Sequence, residues 1–161
     1  MTQQEYENKI KELEKQIEEL KMAKVEEPKR WKPNENERYH TIDDSGDDCD
    51  LIWDNDRYDN WRYLTGNCFK TKEEAEEYKK QIEYTARYKN YIEEHSELID
   101  WDNDNQYKYY AYFLIGRRFE VASVSRCKSQ GAIYSSSEQI ILDAIKEIGE
   151  DNFKKYVLGV K

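Results

Sequence analysis

Eight aspartates and a single cation, Arg57, lie between Asp43 and Asp59, in the run DDSGDDCDLIWDNDRYD. Eight carboxylates less one guanidinium leave seven of the chain's nine net negative charges in this one segment. Like charges at this density repel one another. Asp43, Asp44, Asp47, Asp48, Asp50, Asp54, Asp56 and Asp59 therefore either lie cheaply in solvent or serve a partner. One use is mimicry of nucleic-acid phosphate. Duplex DNA presents a charge every ~1.7 Å of axis, and carboxylates on a rigid sheet edge approach that spacing and would fill a basic channel on another protein. Trp53 and Trp61 are then candidate anchors, since aromatic residues carry much of the energy of protein interfaces. The alternative for both is the core, which suits Trp53 on an alternating strand. Another use is metal binding, because Asp54, Asp56 and Asp59 offer hard oxygens to Ca²⁺ or Mg²⁺. An EF-hand counted from Asp54 fails, however: Asp59 and Thr65 stand where the loop needs Gly and Glu. No metal is assigned, and the polar residues of Trp53-Asp54-Asn55-Asp56 read as caps of turns.

Little else in the chain points to a reaction. His40 and His95 are the only histidines, and neither pairs with a nucleophile by spacing. There is no glycine-rich phosphate loop, nucleophile elbow or HExxH. The expectation is a binding protein without cofactor, not an enzyme. A second candidate site is basic: Arg117, Arg118, Arg126 and Lys128, with Tyr110 and Tyr112 nearby, can capture a nucleotide or oligonucleotide by stacking and charge. Alternatively these cations guard a sheet edge against pairing. A net charge of −9 and a pI near 4.9 argue against general nucleic-acid or anionic-membrane binding. Cys49, Cys68 and Cys127 are odd in number and widely spaced, which implies reduced thiols and no zinc site. No apolar run approaches the ~20 residues of a membrane span, and no signal-peptide core opens the chain. A soluble cytoplasmic protein is expected.

The elements that must position these groups follow from periodicity. Residues 1–27 read as a helix whose seam, Tyr6, Ile10, Leu13, Ile17 and Leu20, steps by a heptad a/d pattern, with Glu7, Glu14 and Lys21 at e and Lys9 and Gln16 at g. The seam either dimerises the chain as a short coiled coil over 2–26 or packs on its own domain. Residues 28–37 hold both prolines and read as a linker. Over 38–161 the pattern predicts an α+β domain in two halves, 38–96 and 97–161. Strands are expected at 38–43, 50–54, 62–70, 107–115, 119–126 and 131–134. Thr71, with Glu74 at capping-box spacing, opens a long helix to about His95, and Ser136 with Gln139 opens a second, ended by Gly149. A last short helix follows over 150–158. The sum is one antiparallel sheet of about five to six strands with two main helices on one face. The halves share Trp-Asp-Asn-Asp, at 53–56 and 101–104, but in different places relative to their strands.

Several strings together resemble a known group. They are Trp31-Lys32-Pro33 before Tyr39, Ile52-Trp53-Asp54-Asn55-Asp56, Arg62-Tyr63, Gly66-Asn67-Cys68-Phe69-Lys70-Thr71, Glu73-Glu74-Ala75-Glu76 and the C-terminal Ile148-Gly149-Glu150-Asp151 with Lys155-Tyr156 and Leu158-Gly159-Val160. Over roughly 30–161 the chain resembles an uncharacterised family of phage and prophage proteins of low-GC Gram-positive bacteria. The resemblance implies a mobile-element context and carries over no catalytic residue. That context points to an anti-defence, anti-CRISPR-like inhibitor, acting in the host cytoplasm on a basic host protein such as a CRISPR effector or another defence nuclease. The rivals are nucleotide capture on the Tyr/Arg hairpin and an assembly adaptor that works through the N-terminal helix.

Overall fold

The computed structural model describes residues 3–22, 30–114 and 118–160, in two compact units, 1–32 and 33–161. The first contains one helix, α1 (Gln3–Met22), built from Glu, Lys, Gln and Leu with no Gly or Pro to break it. Tyr6, Ile10, Leu13 and Ile17 of the heptad seam are exposed.

The second unit opens with a hairpin, β1 (Arg38–Ile42) and β2 (Asp48–Ile52), antiparallel with Thr41 opposite Cys49 and Tyr39 opposite Leu51. Its turn is built by Asp43, whose Oδ1 accepts the N–H groups of Ser45 and Asp47, and by Gly46 at φ +82°. Helix α2 (Arg57–Thr65) follows directly. Asp56 caps it by accepting the Asp59 N–H at 2.7 Å, and Gly66, at φ +89°, closes it in the left-handed conformation that favours glycine. The long helix α3 (Lys72–His95) begins with the expected Thr71 cap, whose Oγ1 accepts the Glu74 N–H, while Glu74 Oε2 reaches back to the N–H of Lys70, one residue before the cap, rather than to that of Thr71.

A second hairpin, β3 (Lys108–Phe113) and β4 (Phe119–Val124), precedes α4 (Glu138–Ile148) and a short α5 (Glu150–Asn152) that widens into a π-helical turn over Phe153–Val157. The α4 cap is Ser137. Ser136 is instead occupied by Ser96 and the Glu97 N–H, so the cap falls one residue later than its spacing from Gln139 implies. The main core joins α3, α4 and the π-turn, with Tyr88, Ile92, Ile141, Ala144, Ile145, Ile148 and Phe153 all buried. Tyr39, Trp53, Cys68 and Ala75 are buried toward the first hairpin.

The domain is α+β, but the single sheet of five to six strands is not formed. Four strands, in two separate two-stranded hairpins, are present among the described residues. The first four residues of the expected third strand over 62–70 are the end of α2, and the rest is its cap and an extended approach to α3. This helix buries only the Asp59 side chain and turns Tyr58, Trp61 and Leu64 to solvent. Of the third strand one bridge remains, at Phe69, and the sixth, expected at 131–134, is replaced by one bridge just beyond it, at Ser135. Phe69 exchanges both backbone hydrogen bonds with His40, and Ser135 exchanges both with Tyr109, each at 2.8 or 2.9 Å. Each bridge lies two residues before its helix cap, Thr71 or Ser137. The two halves therefore do echo one another, as hairpin, bridge, cap and helix.

Candidate interaction surface

The first hairpin and α2 collect the residues that the acidic run singles out. They are locked together by a buried polar network. Asp59 is only 3% exposed. Its Oδ1 accepts the Tyr39 hydroxyl at 2.6 Å and its Oδ2 accepts the Asp54 N–H at 2.9 Å. Arg62 Nη1 donates to the Tyr39 hydroxyl at 3.1 Å and lies 3.7 Å from Asp59 Oδ1. Burial pushes the Asp59 carboxyl up, but the hydrogen bonds from Tyr39, Asp54 and Asp56 outweigh it and hold the group below the usual carboxylate range. The same burial, with the Asp59 acceptor, pushes the Tyr39 hydroxyl well above its ordinary value. Asp54 is raised, first by the Asp59 carboxylate beside it and then by burial and Asp56.

The other aspartates divide by task. Asp43 is drawn into its own turn, and the Asp47 N–H is the main reason its carboxyl sits below the ordinary range. Asp48 pairs with His40 at 3.0 Å, Asp50 with Arg38, and Asp47 with Lys79 at 3.8 Å. Asp44, Asp47, Asp50, Asp54 and Asp56 remain exposed. Much of the charge density thus builds the hairpin and the helix cap as well as facing solvent. Asp59, buried in the network, is not available to a partner. Asp54, Asp56 and Asp59 each bring a carboxylate oxygen within 4.8 Å of the other two. Asp56 Oδ1 and both Asp59 oxygens already accept hydrogen bonds, so the cluster is accounted for by the cap and the network.

The two candidate tryptophans separate. Trp53 is 2% exposed and meets Tyr39 and Tyr63 edge to face, with centroids 5.8 and 6.3 Å away. It is a core residue, because the alternation of β2 continues through it onto the inward face. Trp61 is 62% exposed on α2, beside Tyr58 at 67% and Leu64 at 78%. These three run along one side of the helix, an apolar stripe that no described residue covers.

Between that stripe and the hairpin lies a cleft of about 680 Å³. Thr41, Cys49 and Leu51 of the hairpin face line it on one side, and Tyr58, Trp61 and Arg62 line it on the other. Asp43, Asp44, Arg57 and Asn67 also border it. Thr41 is 3% exposed, and its hydroxyl has no hydrogen-bond partner among the described residues. Asn67 ties the far wall to the hairpin: its side chain donates to the Ile42 carbonyl and accepts the Ile42 N–H.

Comparison with protein-family models, curated proteins and solved structures finds no match to this chain.

The described members of the basic candidate site are spread along the second hairpin and its flanks. Arg118 precedes β4 and Arg126 lies beyond its other end. Arg126 pairs with Asp104 at 3.0 Å, and Lys128 lies 5.1 Å over the Trp101 ring. Tyr110 packs on Tyr112 and Tyr134, and the Tyr112 hydroxyl donates to Glu120 at 2.9 Å. Arg117 lies outside the described residues. Of the α1 seam, the side chain of Leu20 is likewise outside them. Among the described residues no helix is long and apolar enough to cross a membrane.

Sequence reasoning missed Tyr58, Leu64, Arg62 and Thr41 as members of this surface. For the first two a signal was present: Asp56 followed at the third position by Asp59 is an N-cap pattern, and Tyr58, Trp61 and Leu64 repeat at helical spacing behind it. Nothing local announced that Thr41 and Arg62, 21 positions apart by number, would face one cleft.

Proposed function

We propose that this protein acts by binding rather than by catalysis, and that the α2 side of its first hairpin is the binding surface. Its target would be a basic, nucleic-acid-handling surface on another protein. The observation that carries the reading is the exposed stripe of Tyr58, Trp61 and Leu64 set beside the exposed carboxylates of Asp44, Asp54 and Asp56. Aromatic anchors exclude water and hold a partner, while the surrounding negative field speeds encounter with a cationic one and rejects acidic competitors. The resemblance to phage and prophage proteins makes a host defence nuclease, such as a CRISPR effector, the partner of choice, met in the host cytoplasm. The aspartates would stand in for phosphates, and the exposed seam Tyr6, Ile10, Leu13 and Ile17 would pair two copies.

The test is capture from a low-GC Gram-positive host lysate with wild-type protein and with a D44N/D47N/D50N/D54N variant. The expected result is a basic nucleic-acid enzyme held at low salt, released at high salt and not held by the variant. Retention of the same protein by the variant would overturn the reading.

A further inference from the structure

We propose that the cleft between α2 and the first hairpin is a receptor for a guanidinium group, an arginine side chain presented by the basic partner. The inference rests on the binding surface proposed above and names the chemistry that the surface selects. The cleft, about 680 Å³, falls in the range of sites that bury a small ligand or a protruding side chain. The Trp61 indole and the Tyr58 ring, both more than half exposed, give it aromatic walls. Aromatic faces attract cations, indole most strongly, and a planar guanidinium stacks on them where a strongly hydrated ammonium does not. Asp43 and Asp44 border the same cleft; Asp43 is engaged in its own turn, and the exposed Asp44 supplies the free carboxylate oxygens. Thr41, nearly buried, completes the hairpin side of the lining.

The charge balance decides between a cationic and an anionic occupant. Two arginines line the cleft, which by itself would favour an anion. Arg62, however, is held against Asp59 and the Tyr39 hydroxyl, so its charge is matched from within. Arg57 is exposed and shares the lining with Asp43 and Asp44, and Asp54 and Asp56 stand just ahead of it in the chain at the helix cap. Two carboxylates in the lining, Asp43 and Asp44, against one unmatched guanidinium leave the site negative, and Asp54 and Asp56 at the helix cap add to the field from outside the lining. An arginine entering the cleft would stack on Trp61 and satisfy Asp44. Arg57 is then a repulsive neighbour, which leads to an expectation opposite to that of an anion site: removing it tightens binding.

The experiment is a titration of the full chain with hexa-arginine and hexalysine peptides of equal charge. Affinity is read by calorimetry at low salt, and the Trp61 indole N–H is followed by ¹H–¹⁵N NMR. Wild type, W61A, D44N and R57A are compared, and the NMR spectrum reports whether each is folded. The expected result is tighter binding of the arginine peptide and a shifted Trp61 resonance. W61A should lose roughly 5- to 30-fold in affinity for the arginine peptide. R57A should gain about 2- to 5-fold. Equal, salt-sensitive binding of both peptides, indifferent to W61A, would overturn the guanidinium receptor while leaving the acidic binding surface standing. No binding of either peptide at low salt would overturn both. Weaker binding of the arginine peptide by R57A would overturn the inference.

Discussion

Replacing Asp59 by Asn tests how the surface is held in place. The two side chains are nearly isosteric, so what changes is hydrogen bonding and charge. In the native protein both carboxylate oxygens accept: Oδ1 from the Tyr39 hydroxyl at 2.6 Å and Oδ2 from the Asp54 N–H at 2.9 Å. Asparagine keeps one acceptor and puts an NH₂ where the other stood, so one donor now faces another. A hydrogen bond to a charged group contributes about 1.5–3 kcal/mol, and a buried donor left without a partner costs a further 1–3 kcal/mol. Arg62, with 29% of its side chain exposed, loses its counter-charge but recovers part of it from water. The expected loss is therefore about 3 kcal/mol at neutral pH, a large share of the ~5–15 kcal/mol of an ordinary domain. Because the folded state holds the Asp59 carboxyl below its ordinary range, its contribution is fully present above the unfolded value of ~3.9 and fades as pH falls through the lowered folded value. The gap between wild type and D59N should be widest near neutrality and narrow below about pH 4. Urea unfolding followed by tryptophan fluorescence at several pH values measures it, with Y39F completing a double-mutant cycle. A loss under about 0.5 kcal/mol, within the usual scatter of surface substitutions, would refute the network as the clamp between α2 and the hairpin. So would a gap that does not change with pH.

Two buried hydroxyls, Thr41 Oγ1 and Tyr88 Oη, have no partner among the described residues, and burial pushes the Tyr88 hydroxyl well above its ordinary value. Y88F and T41V should therefore be neutral or stabilising by up to about 1 kcal/mol, raising the melting temperature by roughly 2–4 °C in calorimetry; a clear loss in either would reveal a partner for that hydroxyl. Phe153 is fully buried at the π-turn, with its ring 4.9 Å from Tyr88 and 5.6 Å from Phe119. F153A should cost about 3–5 kcal/mol in urea unfolding, and a loss under about 1 kcal/mol would show that the turn is not part of the core.

Legibility followed the strength of local signals. The Thr71–Glu74 cap, the face of α4 and the two hairpins could be read because capping spacing, helical periodicity and alternation each leave a local mark. Helix α2 left a weaker mark, the Asp56–Asp59 cap spacing and the i, i+3 repeat of Tyr58, Trp61 and Leu64, and nine residues give too few turns for that repeat to stand out beside the strand expected at 62–70. The single sheet failed for a related reason. Phe69 and Ser135 each pair through one bridge, too little for alternation to distinguish a strand from an approach to a helix cap. At the surface itself, the acidic run and Trp61 were visible as composition. The sorting of the aspartates into turn, cap, network and rim depends on what folds against them. Asp59 and Asp54 look equivalent in the sequence, yet one is sealed against Tyr39 and the other is exposed.

The most direct test of the account is competition. A purified, basic defence nuclease would be loaded with labelled duplex DNA, and wild-type protein, the D44N/D47N/D50N/D54N variant and W61A would be added at low and at high salt. Displacement of the DNA by wild type at low salt, weakened by either variant and abolished at high salt, is the predicted result. DNA displaced equally well by all three proteins, or by none of them, would contradict the assignment of this face as the binding surface.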